Sequence, residues 1–92
     1  MYNLNDFFTK SDIIVDGEFS SIGSSNTKKS NSICFIANIK HARIANSNEN
    51  IKCIITSNNI KSFISKDKGL VLSEEPDILF GSLKDQLIQQ GK

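Results

Sequence analysis

The chain has 92 residues, 38% of them apolar, with six Phe, one Tyr and no Trp. That length makes one domain, residues 1–92, and a chain so short buries only about 60–65% of the surface its unfolded form exposes. Eleven basic residues against ten acidic ones leave a net charge of +1, which argues against the polyanion grip that nucleic acid demands. Ile, Ser, Asn and Lys together supply 47 residues. The skew resembles AT-rich coding, so a single surface Asn, Lys or Ser carries little functional signal. No apolar run approaches the 18 residues of a membrane span. Met1 is followed by Tyr2, Asn3, Leu4, Asn5 and Asp6, without the basic and apolar regions of a signal peptide, so a cytoplasmic location is expected. Cys34 and Cys53 sit inside apolar runs. In such a compartment they are expected as two reduced, buried thiols, although spacing alone leaves a disulfide open.

Leu4, Phe7 and Phe8 form an i, i+3, i+4 stripe, which predicts a short N-terminal helix of about two turns capped by Asn3 or Asn5. Residues 12–17 read as a brief strand ending in the Asp16-Gly17 pair, a hairpin signal, with residues 18–23 as the returning strand. Residues 24–32 are a polar surface loop. Residues 33–37 are continuously apolar, as in a strand buried on both faces. Asn38 then caps a helix over 39–45. Residues 52–56 form another β-branched strand. Asn58 and Asn59 make a turn, followed by a short helix or coil over 60–65. Residues 69–72 are a third core strand. Ser73, Glu74, Glu75 and Pro76 open the last helix, because Pro suits a first turn and acidic residues there favour the helix dipole. Leu79, Phe80, Leu83 and Leu87 are its buried stripe, and Gly91 its close. Helices alternating with short buried strands predict an α/β domain with a small mixed sheet and flanking helices.

Nothing in this order assembles a reaction. His41 is the one histidine. A nucleophilic pair with Cys34, seven residues away, lacks a group to orient the imidazole. Cys34, His41 and Cys53 have no CxxC or HxxxH pairing, so no metal site is expected. There is no GxGxxG and no Walker motif. Catalytic residues and cofactors are therefore expected to be none.

One constellation stands apart. Phe35, Asn38 and His41 are spaced by three, across a strand end and a helix start. That junction is where α/β domains place ligands. Two rings with an amide between them can clamp a planar heterocycle. The Asn amide offers an acceptor and a donor that match the N3–H and a carbonyl of uracil. The plainer alternative makes Phe35 core, Asn38 a helix cap and His41 surface.

The segment with Phe35, Asn38 and Lys40 resembles the Phe-x-x-Asn-Pro-Lys-Tyr signature in the N-terminal domain of UDP-3-O-acylglucosamine N-acyltransferase, an enzyme of lipid A biosynthesis. Residues 19–25, 52–56, 70–76 and 77–86 fall where that domain has a strand and loop, a strand, a strand with helix entry, and a helix. The likeness spans nearly all of the chain. It implies a fold like the first domain of the Mur ligases. It also implies a uracil site in which Phe35 and Asn38 contact the base and His41 stands where the family has its second aromatic, a Tyr. Ile39 replaces the family's Pro. In that family the acyl transfer takes place on a left-handed β-helix of hexapeptide repeats, and no such repeat occurs here. The resemblance therefore implies a substrate-recognition module for the uridine of a UDP-sugar, inactive by itself, with acyl carrier protein a partner only of the full-length enzyme. The alternative function is a stand-alone, non-catalytic binding or scaffold domain in surface-polysaccharide biosynthesis.

Overall fold

The β-branched apolar runs form the middle of a five-stranded sheet, because each has one residue set for each face. The structure is a computed structural model and describes residues 1–90. In chain order its elements are β1 (Tyr2–Asn3), β2 (Ile13–Val15), β3 (Glu18–Phe19), β4 (Ser21–Ile22), β5 (Ser32–Ile36), α1 (Ile39–Ser47), β6 (Ile51–Thr56), β7 (Gly69–Leu72) and α2 (Pro76–Gln90). Single 3₁₀ turns occupy Leu4–Asp6, Lys10–Asp12 and Lys61–Phe63. The main sheet runs β2-β7-β6-β5-β4. β4, β5, β6 and β7 are parallel, and β2 adds antiparallel to β7. The domain is thus a small α/β unit with a mixed sheet, as expected.

Each face of the sheet carries its own core. Cys34, Ile36, Ile51, Ile54 and Leu70 meet Ala42 and Ala45 of α1, with Ile60 and Ile64 beside them. The two alanines let α1 lie close to the strands. On the opposite face Ile33, Cys53, Ile55 and Val71 meet Phe80 and Leu83 of α2, with Leu4, Phe8 and Phe19 from the N-terminal segment. Burying each such large side chain stabilises the fold by about 1.5–3 kcal/mol. A bulge divides β6 correctly between the two cores. Ser32 pairs with Ile51 and Ile33 with Cys53, so Lys52 is the extra residue. In a regular strand Ile51 and Cys53, two residues apart, would share a face, and the bulge turns them to opposite ones.

The later elements follow the sequence reading closely. Asn38 caps α1, β7 spans 69–72, and Pro76 opens α2 with Phe80 and Leu83 buried and Leu79 and Leu87 packed beside them. Gly91, read as the close of α2, lies outside the described residues. Ser32 belongs to β5 and is buried, so the loop ends one residue earlier than expected.

The N-terminal third differs. The hairpin at Asp16-Gly17 does not form: β2 pairs with β7 and β3 pairs with β1. A two-residue turn with Gly second needs a positive φ there, and none of the described glycines has one. Gly17 serves instead as a point of close approach. A Cβ on it would stand 3.1 Å from Cys53 Sγ and 3.1 Å from the Cα of Gly69. The expected N-terminal helix shrinks to one 3₁₀ turn, because Tyr2 and Asn3 are drawn into the pairing with β3. Its stripe still reaches the core through Leu4 and Phe8. Tyr2, Phe7 and Phe19 close this corner, with ring centroids 5.5–5.9 Å apart.

Two glycines should respond oppositely to Ala. A Cβ on Gly69 would come within 2.8 Å of Cys53 Sγ and 3.1 Å of Leu4 Cδ1, whereas one on Gly81 meets nothing within 4 Å. Gly81→Ala should stabilise the domain by about 0.5–1 kcal/mol, raising the thermal midpoint by several degrees. Gly69→Ala should destabilise it by about 1–3 kcal/mol through overpacking. Thermal melts by circular dichroism check both. A gain from Gly69→Ala would contradict the packing described.

Candidate functional site

β4 is two residues long and pairs only with Ser32 and Ile33, and Gly23 N–H donates to Ile33 O at 3.1 Å. The last residues of β5 therefore lie at the edge of the sheet. Phe35, expected on a strand buried on both faces, is instead 37% exposed. Its ring packs against Phe80, with centroids 5.1 Å apart and planes tilted by 51°. Both rings line an open cleft of about 680 Å³.

Four pieces of chain build the cleft. β5 and its exit give Phe35 and Ala37, the start of α1 gives Asn38, His41 and Ile44, and α2 gives Phe80 and Lys84. Residues 22–26 form the remaining wall. Phe35, Asn38 and His41 are thus brought to one cavity, at the carboxyl end of a parallel strand, where α/β domains bind ligands.

The Asn38 side chain also has a local duty. Its Oδ1 accepts the His41 backbone N–H at 2.9 Å, the N-cap bond of α1. That bond fixes which end of the amide is oxygen. It leaves one lone pair of Oδ1 and both Nδ2 hydrogens for another partner. The cap and ligand readings of Asn38 are chemically compatible.

Spacing did not reveal the α2 wall. Phe80 reads from sequence as core, and it is 7% exposed, yet it also lines the cleft. Lys84, one helical turn further, places its Nζ 5.7 Å from the Phe80 ring centroid. The i, i+4 spacing of the pair was the available signal. The wall of residues 22–26 is held in shape. Asn48 Nδ2 donates to Ser25 O and Thr27 O at 3.1 and 2.9 Å. Ser24 Oγ donates to Asn26 Oδ1 at 2.7 Å. Thr27 folds so closely over Gly23 that a Cβ there would meet it at 2.6 Å. Asn31, at φ 56°, takes the left-handed conformation and returns the loop to β5. Its carbonyl accepts the N–H groups of Ser20 and Ser21.

The thiols stand apart from this cleft. Cys34 lies in the core beneath α1 and Cys53 in the core beneath α2, so the sheet separates them. Both are free. Burial pushes Cys34 up to about 12, with Lys68 opposing. Burial also pushes Cys53 up to about 12, reinforced by the charges of Asp16 and Glu18. Neither lines the cleft with His41, so no Cys-His pair forms there. No group of three or more His, Cys, Asp or Glu that could hold a metal ion occurs among the described residues. No helix there is long and apolar enough to cross a membrane. Glu74 and Glu75 precede α2, and the Glu75 N–H donates to Ser73 Oγ at 3.1 Å. Comparison with protein-family models, curated proteins and solved structures finds no match to this chain.

A thiol raised to about 12 carries about a thousandfold less thiolate near pH 8 than an ordinary one. Iodoacetamide should therefore label neither Cys34 nor Cys53 appreciably in the native protein at pH 8, and should label both once urea unfolds it. Mass spectrometry reads the count. The sign with pH follows: above about pH 9 the unfolded chain sheds thiol protons that the folded chain keeps, so stability should fall as pH climbs toward 12. Rapid labelling of either thiol in the native state would contradict their placement.

Proposed function

We propose that the cleft binds the uracil of a uridine nucleotide. On this reading the chain is a substrate-recognition module like the N-terminal domain of UDP-3-O-acylglucosamine N-acyltransferase, an enzyme of lipid A biosynthesis, and its fold is a variant of the first domain of the Mur ligases. The carrying observation is Phe35: the third residue of the five-residue apolar run 33–37 would ordinarily be core, yet it is exposed and lines a cavity shared with Asn38 and His41. A base laid on that ring gains about 1–3 kcal/mol from stacking. Asn38 Nδ2 can donate to a uracil carbonyl, and the spare lone pair of Oδ1 can accept the N3–H. Adenine also offers an amide a donor and an acceptor, N6–H and N7, but on a two-ring base and at a different position relative to the ribose, so AMP is the control for where the base sits.

No acyl transfer is assigned to this chain. In this scheme the one imidazole lining the cleft, His41, is a ring for stacking. Sugar, acyl group and acyl carrier protein belong, on the same reading, to a β-helix of hexapeptide repeats that these 92 residues do not contain. Affinity for the nucleotide alone should be poor, about millimolar, since one stacked base and one amide hold it.

NMR titration tests the proposal. UMP should shift resonances of residues 35–41, and AMP should shift them much less. Asn38→Ser keeps an oxygen for the cap but removes the amide donors. It should weaken UMP binding about 3–10-fold, the worth of one hydrogen bond, while the fold survives. His41→Tyr offers a larger ring and should tighten binding by up to about 1 kcal/mol. Equal responses to AMP and UMP, or shifts centred away from residues 35–41, would sink the uracil reading.

A further inference from the structure

The charges around the cleft are sorted. Among the described residues its lining contains Lys84 and His41 but no Asp or Glu. A shallower hollow next to it, sharing Asn26 and Ile44, is lined by Lys28 and Arg43 and again by no carboxylate. The acidic residues gather at other surfaces: Glu49 and Asp67 in one hollow, Asp12, Glu74 and Glu75 in another, Asp16 and Glu18 in a third. The cleft and the hollow beside it are thus lined by bases without acids, whereas Lys52 and Lys68 share the hollow of Glu49 and Asp67.

Lys84 is the cation best placed to use that asymmetry. Its neighbours at i±3 and i±4 on α2 are Phe80, Gly81, Leu87 and Ile88, so no carboxylate lies within a turn of it on that face, and Asp77 stands two turns away. Its ammonium lies over the Phe80 ring, the same ring that backs Phe35. An aromatic face holds a cation without neutralising it, so the charge remains available to a ligand. The Lys28 and Arg43 hollow is the rival. It includes Ser47 and Asn48 at the carboxyl end of α1, where the helix dipole opposes an anion, whereas the cleft meets the amino end of α1 at Asn38 and His41.

We infer that Lys84 is the phosphate contact of the cleft and makes it selective for a phosphorylated nucleoside over the bare nucleoside. This rests on the uracil reading above. A base on Phe35 directs its 5′-substituent along the α2 wall, and the ammonium of Lys84 donates to the phosphate oxygens. A single charge-assisted contact of this kind, on a wall open to solvent, should favour UMP over uridine about tenfold at low ionic strength. Salt should erode the preference, since the site is not sealed from solvent.

The test is NMR titration of the full 92-residue chain with uridine, UMP and inorganic phosphate at low salt. Parent protein should bind UMP about tenfold tighter than uridine. Lys84→Gln should bring that ratio close to one by weakening UMP binding about tenfold. Lys84→Arg should retain the ratio, and so should the Lys28→Gln/Arg43→Gln double variant. Uridine shifting residues 35–41 with a UMP-to-uridine ratio of one, or a ratio untouched by Lys84→Gln, overturns the Lys84 contact and leaves the uracil reading in place. Loss of the ratio in the double variant alone overturns it in favour of the neighbouring hollow. If uridine is silent while inorganic phosphate shifts Lys84 in the parent and not in Lys84→Gln, the uracil reading falls and the phosphate contact stands. Silence from all three probes overturns both.

Discussion

The early end of β4 is the constraint on which the cleft depends. A fifth strand as long as β5 would cover the edge at Phe35, and the region between α1 and α2 would be core. Instead the chain leaves the ladder at Gly23, where Thr27 folds back into the space a side chain would need. Asn48, at the far end of α1, holds the departing loop by two carbonyls. A gap at a sheet edge would ordinarily be a liability for strand addition. Here α2 covers one side of it through Phe80, and the tethered loop forms a wall beside it. The opening is therefore a shaped cavity on a fixed frame.

That frame is stiffened by polar groups that each find a partner. Thr56 Oγ1 donates to Ile36 O at 2.6 Å across the parallel strands. Lys68, only 6% exposed, donates its Nζ to Ile51 O and Asn48 O at 2.7 and 3.2 Å. It thereby joins the end of α1 to the start of β6, and a cation suits that carboxyl end of a helix. Asn48 then stands between Lys68 and the loop, with its backbone carbonyl on one and its side-chain amide on the other. No buried side-chain nitrogen or oxygen among the described residues lacks a hydrogen-bond partner. In so small a domain an orphan of that kind would cost about 1–3 kcal/mol, a large share of the total stability.

Local patterns were legible where the structure obeys them locally. The apolar runs at β5, β6 and β7, the Asn38 cap and the stripe of α2 all depend on neighbours in sequence. The pairing of residues 12–23 does not. Asp16-Gly17 has the composition of a hairpin turn, but Gly17 sits where Cys53 Sγ of β6 and the Gly69 backbone of β7 would stand 3.1 Å from a Cβ. Only the tertiary structure contains that information. The same holds for the site. Phe35, Asn38 and His41 lie within seven residues of one another, so their spacing could be noticed. Phe80 and Lys84 come from the other end of the chain and join them only when α2 packs across the sheet. Phe80 was legible as buried and not as a wall, because one ring does both.

Asn38 shows why a residue with a structural explanation need not be spent by it. A cap consumes one lone pair of one oxygen. The same bond holds the amide plane in a single orientation, so on the uracil reading the Nδ2 hydrogens would need less ordering on binding. The capped helix also carries His41 into the cleft three residues later, on the N–H that the cap itself receives. Backbone order at the strand-to-helix junction and side-chain order in the cavity are thus one arrangement. A substitution that removed the cap would disturb both together, whereas one that preserved the oxygen and removed the nitrogen would separate them. The difference between a helix cap and a binding residue at this position is therefore a difference between two atoms of one side chain.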